Sequence, residues 1–101
     1  MKDEEYEKAY KQMKKINKRK CRLASGYTIS VQASEYHYCT PRINDAKEYR
    51  SVEMWVFDEH NVPITEDPQS YVPVSSVREL IEAHGGIVSG ELPPMKKEEE
   101  E

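Results

Sequence analysis

Tyr27-Thr28-Ile29-Ser30-Val31-Gln32-Ala33-Ser34 decides the fold. Tyr27, Ile29, Val31 and Ala33 fall on one side of an extended chain, and Thr28, Ser30, Gln32 and Ser34 on the other, the period of two that marks a strand with one buried face. Downstream, Tyr49 to Phe57 repeats the pattern, with Val52, Met54 and Val56 on one face and Glu53, Trp55 and Phe57 on the other. The two runs are expected to pair antiparallel across a long connection. Asp58-Glu59-His60-Asn61 reads as a turn and Val62 to Thr65 as a short edge strand, since Pro63 lacks the donor a central strand needs. Tyr71-Val72-Pro73-Val74 leads to Ser75-Ser76, and Ser76 with Glu79 has capping-box spacing. A helix from Ser76 to His84 follows, closed by Gly85-Gly86, with Val77, Leu80, Ile81 and His84 on one face. Ile87-Val88 adds a further short strand.

Working outward, the ends differ from the middle. Of the 18 Leu, Ile, Val and Phe residues, 16 lie between Tyr27 and Leu92. Residues 1–22 carry nine Lys/Arg and four acids, a net charge of +5, whereas the remainder carries −9. Within the first segment Asp3, Glu4, Glu5 and Glu7 precede Lys8, Lys11, Lys14, Lys15, Lys18, Arg19, Lys20 and Arg22. That order complements a helix macrodipole. Tyr6, Ala9, Tyr10, Met13 and Ile16 form a narrow stripe at helical spacing, so residues 3–20 are read as one basic helix. The organisation expected is therefore a basic amphipathic helix in residues 1–24, a small α+β domain in 25–92 and a disordered acidic tail in 93–101. The fold class is α+β, with a mainly antiparallel sheet of three to four strands.

A chain of 101 residues is sized for one domain. It has no run of about 18 apolar residues to span a bilayer. Its start, MKDEEYEK, lacks the apolar stretch of a signal peptide, so a cytoplasmic setting with no membrane partner is expected. In that setting Cys21 and Cys39 are expected as free thiols. Together with His37, His60 and His84 they show no zinc spacing, and no metal or other cofactor is expected. No nucleophile, base and orienting group can be assembled, so the expectation is a binding protein and not an enzyme.

Three groups could carry recognition. Glu35-Tyr36-His37-Tyr38-Cys39-Thr40-Pro41-Arg42 packs aromatic faces, an imidazole and a guanidinium into eight residues. Tyr36, His37, Tyr38 and Arg42 could stack a base and hold a phosphate. Aromatic strand residues are more often packed than ligand-bearing, and the favoured reading has Tyr36 and Tyr38 extend the packing face with His37 and Arg42 solvated. Lys14, Lys15, Lys18 and Arg19 could meet an acidic protein, nucleic acid, or the acidic part of a second copy in a homodimer. Nucleic acid is the less favoured of these, because no reader motif accompanies the lysines. Glu53, Trp55 and Phe57 would form an exposed partner patch if the N-terminal helix leaves them uncovered.

SVQASEYHYCTPR (Ser30 to Arg42) and YVPVSSVRELIEAHGGI (Tyr71 to Ile87), flanking VEMWVF, resemble a group of small proteins encoded by bacteriophages and prophages. The resemblance spans Tyr27 to Pro94 and leaves out both charged ends. It implies an accessory product of the anti-defence, anti-CRISPR-like class: an inhibitor that docks onto a host defence protein such as a CRISPR nuclease, in the host cytoplasm. The residues that would carry docking are Lys14, Lys15, Lys18, Arg19, Glu53, Trp55 and Phe57. A sponge for a nucleotide signal, working through Tyr36, His37, Tyr38 and Arg42, is the alternative, and a nucleic-acid accessory protein is a third.

Overall fold

The alternation in Thr28–Gln32 builds the centre of the sheet, and its partner is the second alternating run. In the computed structural model, which describes residues 17–97, these form β2 (Thr28–Gln32) and β3 (Ser51–Phe57). They pair antiparallel with Ile29 opposite Val56, Val31 opposite Met54 and Ser30 opposite Trp55. Directly opposed residues share a face. The apolar face therefore collects Ile29, Val31, Val52, Met54 and Val56, as the alternation dictates. Three further strands flank the pair: β1 (Cys21–Leu23), β4 (Gln69–Pro73) and β5 (Ile87–Ser89). The helix is α1 (Val74–Ala83). The order across the sheet is β4-β3-β2-β1-β5, and every neighbouring pair is antiparallel.

The α+β class holds, with five strands among the described residues where three to four were expected. β1 lies inside the segment read as helix. Asn17 to Lys20 are not helical: the Lys18 N–H donates to Gln32 Oε1 (2.7 Å), Gln32 Nε2 donates back to the Lys18 carbonyl (2.8 Å), and the Arg19 N–H donates to Glu91 Oε1 (3.2 Å). A helix would need those backbone groups for itself. The rest of the expected helix, Lys14 and Lys15 included, lies outside the described residues. Val62 to Thr65 is no strand but a single bridge between Pro63 and Phe57, beside an Ile64 N–H bonded to the Val56 carbonyl (2.8 Å). Asp58 explains this, because its Oδ1 accepts the N–H groups of His60 (2.8 Å) and Val62 (3.0 Å) and curls the chain.

The helix starts three residues earlier than its capping box implies. Pro73 is its N-cap, without a side-chain cap, and the Val74 N–H donates to the Arg50 carbonyl (3.1 Å). Ser76 thus sits inside the first turn. The C-terminus closes as expected: the Gly86 N–H reaches the Ile81 carbonyl (2.9 Å) and the Gly85 N–H that of Glu82 (3.1 Å), with φ +88° at Gly85. This is the double bond of a Schellman motif. Val74 and Val77 bury against the sheet with Cys21, Leu23, Ile29, Val31, Tyr49 and Val52, while Leu80 and Ile81 pack at the margin.

Residues 93–97, expected in the tail, are part of the fold. The Tyr49 N–H donates to the Pro94 carbonyl (2.9 Å), the Lys96 N–H donates to the Tyr49 carbonyl (2.8 Å), and Met95 packs on the core. Residues 98–101 lie outside the described part. Among the described residues no helix is long and apolar enough to cross a membrane.

Candidate functional site

Between β2 and β3 the chain makes a connection of 18 residues, 33 to 50. Loops that long inside a small domain are usually functional or loose. This one is held by bonds from its own side chains. The Ser34 Oγ accepts the Tyr36 N–H (3.0 Å) and shares a second hydrogen bond with His37 Nδ1 (2.7 Å). Asn44 clamps Glu35 twice, accepting its N–H on Oδ1 (3.0 Å) and donating Nδ2 to Oε2 (2.9 Å). The Tyr49 hydroxyl, buried beneath, donates to the Ile43 carbonyl (2.7 Å) and accepts the Ala46 N–H (3.3 Å). Cys39 is buried, and its thiol lies 3.3 Å from the Ser34 carbonyl and 3.4 Å from that of Pro41, in a turn with a cis Thr40–Pro41 bond.

That scaffold splits the four residues Tyr36, His37, Tyr38 and Arg42. His37 points inward, 9% exposed, and desolvation pulls its imidazole below the ordinary pKa of 6.5. Held by Ser34, it does not stand on the surface with the others. Tyr36 and Tyr38 remain 43% and 47% exposed. Arg42 is also exposed: its Nε donates to the Glu35 carbonyl (3.1 Å) and its guanidinium lies 4.7 Å from the centre of the Tyr38 ring. That is a cation–π pair on an already fixed arginine.

A residue outside the expected set completes the patch. On β4, Ser70 and Tyr71 stand opposite the single residue Glu53 of β3, because the register shifts between Val52 and Met54. This is a bulge, which re-aims side chains. Tyr71 takes φ +52° there and gives its N–H to the Tyr38 carbonyl (3.0 Å). Its ring, 52% exposed, comes to 5.9 Å from that of Tyr38. Tyr71, Tyr38 and Arg42 are therefore one continuous surface drawn from two segments. The alternation of Tyr71 and Pro73 against Val72 and Val74 was the available signal.

The expected Glu53–Trp55–Phe57 patch does not form. Phe57 is 5% exposed, its ring lying 4.1 Å from Lys20 Nζ and 5.0 Å from the Trp55 ring. Trp55 is half-buried and donates Nε1–H to the Thr65 carbonyl (3.0 Å), so the 58–68 loop and Lys20 cover this face. Glu53 is half-buried too, and its carboxylate accepts the Tyr38 N–H (3.4 Å), which makes it a support for the tyrosine patch. Lys18 is held at its backbone by Gln32, and the Arg19 guanidinium lies 3.8 Å from the Glu91 carboxylate.

Cys21 and Cys39 are both free and buried. Burial pushes both thiols up from their ordinary pKa, which keeps them protonated and poorly nucleophilic. Among the described residues no cluster of three or more His, Cys, Asp or Glu could hold a metal ion. Grooves of 520, 390, 460 and 320 Å³ are lined by described residues, and Tyr36, Tyr38 and Tyr71 line none of these four. Small ligands favour concave sites, whereas an open Tyr/Arg surface has the make-up of a protein interface. Comparison of the chain with known protein families, with curated proteins and with solved structures returns no match.

Proposed function

We propose that this chain is a small binding protein that acts by docking its Tyr36–Tyr38–Arg42–Tyr71 surface onto a larger protein. The observation that carries this reading is the Arg42–Tyr38–Tyr71 cluster, solvent-facing yet fixed from behind by Glu35, Glu53 and the β4 bulge. Tyrosine and arginine dominate interface energetics, and a pre-ordered patch loses little entropy on docking. The likeness of Ser30–Arg42 and Tyr71–Ile87 to small phage-encoded proteins points to a host defence protein, such as a CRISPR nuclease, as the partner to be inhibited. A charge of −9 beyond residue 22 would speed approach to a basic, nucleic-acid-binding surface.

The test is affinity capture from a bacterial lysate at low salt after nuclease treatment, comparing the wild type with Y38A/Y71A and R42A variants of unchanged melting temperature. A stoichiometric host protein retained by the wild type and lost by the variants supports the proposal. Equal retention by all three overturns it, as does a retained nucleotide with no protein, which favours the sponge.

A further inference from the structure

We propose that the cavity bordered by Lys18, the 33–50 connection and Pro93–Pro94 is a binding site for a free apolar amino acid in its zwitterionic form. It measures 520 Å³, inside the range of about 300–1,000 Å³ usual for small-molecule sites. Ala33, Ala46, Tyr49, Pro93 and Pro94 form its walls, and Lys18 and Asp45 are the charged residues that line it. None of the tyrosine-patch residues reaches it, so the site is separate from the docking surface.

The two charges come from separate segments, and the backbone behind each is held. Gln32 bonds both the N–H and the carbonyl of Lys18. Asp45 takes φ +54°, a left-handed position that aspartate tolerates. It lies between the Ile43 carbonyl and the Ala46 N–H, both tied to the Tyr49 hydroxyl. The Tyr49 N–H in turn holds the Pro94 carbonyl (2.9 Å), so the wall opposite is fixed as well. Among the described residues neither the Lys18 ammonium nor the Asp45 carboxylate has an ion-pair or hydrogen-bond partner, and no ion pair closes between the two. An ammonium and a carboxylate that line one apolar-walled cavity without meeting leave room between them for a ligand that carries both complements.

Simpler ligand classes match this pair less well. An anion that pairs with Lys18 is repelled by Asp45, and a cation that pairs with Asp45 is repelled by Lys18. A neutral apolar molecule would draw both charges out of water unpaired. A zwitterion answers both, with its carboxylate on Lys18 and its ammonium on Asp45 in charge-assisted hydrogen bonds. An α-amino acid carries the two charges on one carbon, which leaves its side chain for the walls. Ala33 and Ala46 are each 8% exposed, and side chains this short leave depth for a hydrocarbon group to fill. Burial of that group favours leucine-like side chains over glycine.

The experiment is titration of the full chain at pH 7 and low salt with leucine, glycine, N-acetyl-leucine and leucine amide, read from the amide resonances of Asp45 and Ala46. Matched sodium chloride is the control. Saturable shifts with leucine, about tenfold weaker with glycine and with either singly charged derivative, support the site. Lys18→Gln and Asp45→Asn should each weaken leucine by about tenfold. Asp45→Asn should also strengthen N-acetyl-leucine, since it removes the carboxylate that repels this anion. Shifts that only follow the chloride control overturn the proposal. So do a leucine affinity unchanged in both variants, and glycine or N-acetyl-leucine binding as tightly as leucine. Lys18 is held through its backbone and Asp45 is exposed, so both variants are expected to keep the wild-type melting temperature. The Y38A/Y71A variant should bind leucine as the wild type does, which keeps this result independent of the docking surface.

Discussion

Two glycines at opposite ends of β5 provide a controlled test of how the first and last strands are joined. Gly86 and Gly90 both adopt positive φ, +96° and +112°. A methyl group added at Gly86 meets nothing within 4 Å, whereas one at Gly90 falls 2.3 Å from the Lys20 carbonyl oxygen and 2.5 Å from the Cys21 Cα. Those atoms belong to backbone and cannot rotate aside. Gly86→Ala should therefore cost only the conformational term, about 1–2 kcal/mol. Gly90→Ala carries the same term and must also push residues 90–91 off β1 by about 1 Å, given carbon contacts near 3.5 Å. That strains the bonds from the Cys21 thiol to the Glu91 carbonyl (3.2 Å) and from the Glu91 N–H to the Arg19 carbonyl (3.3 Å). At about 1 kcal/mol for each bond, the total becomes about 3–4 kcal/mol. Trp55 is the only tryptophan, so urea unfolding followed by its fluorescence reads both variants. If Gly90→Ala proves no less stable than Gly86→Ala, the close approach of β1 to the residues after β5 is wrong.

Tyr49→Phe should lower stability by about 1–2 kcal/mol, because it strands the buried Ala46 N–H and removes the bond to Ile43; calorimetry should find a melting point lower by about 4–16 °C. His37 makes stability pH-dependent: with its folded pKa below the unfolded 6.5, its contribution is whole above pH 6.5 and is lost as pH falls below that value towards the folded pKa. The difference in urea midpoint between pH 7.5 and 5.5 should accordingly shrink in His37→Gln. Tyr38→Ala should leave the melting temperature within about 2 °C, since the ring is half exposed, while weakening partner capture at least tenfold, about 1.4 kcal/mol; unchanged capture would place the interface elsewhere.

The central strands were legible because alternation in Thr28–Gln32 and Ser51–Phe57 reports burial of one face directly. The turn glycines after α1 were legible for a similarly local reason. What escaped was set by distant partners. Cys21–Leu23 looked like the end of a basic helix, and it became a strand because Gln32 and Glu91, 14 and 72 residues away from Lys18 and Arg19, hold the preceding backbone. At the candidate site, Tyr36, Tyr38 and Arg42 could be picked from composition, but His37 could not be told apart from them. Its inward turn depends on a bond three residues back, to Ser34. The alternation around Tyr71 marks a strand but not its neighbour, since its place beside Tyr38 follows from a bulge.

The strand order also sets a timetable for making the protein. β1 through β4 pair in the order in which they are synthesised, but the open side of β1 is filled only by β5, and Tyr49 finds its backbone partners only at Pro94 and Lys96. A nascent chain that ends before Ser89 therefore keeps a bare strand edge at β1, the feature by which incomplete chains stick to one another. Lys18, Arg19 and Lys20, just before that edge, and Arg22 within it would repel a second nascent copy approaching it during the same interval.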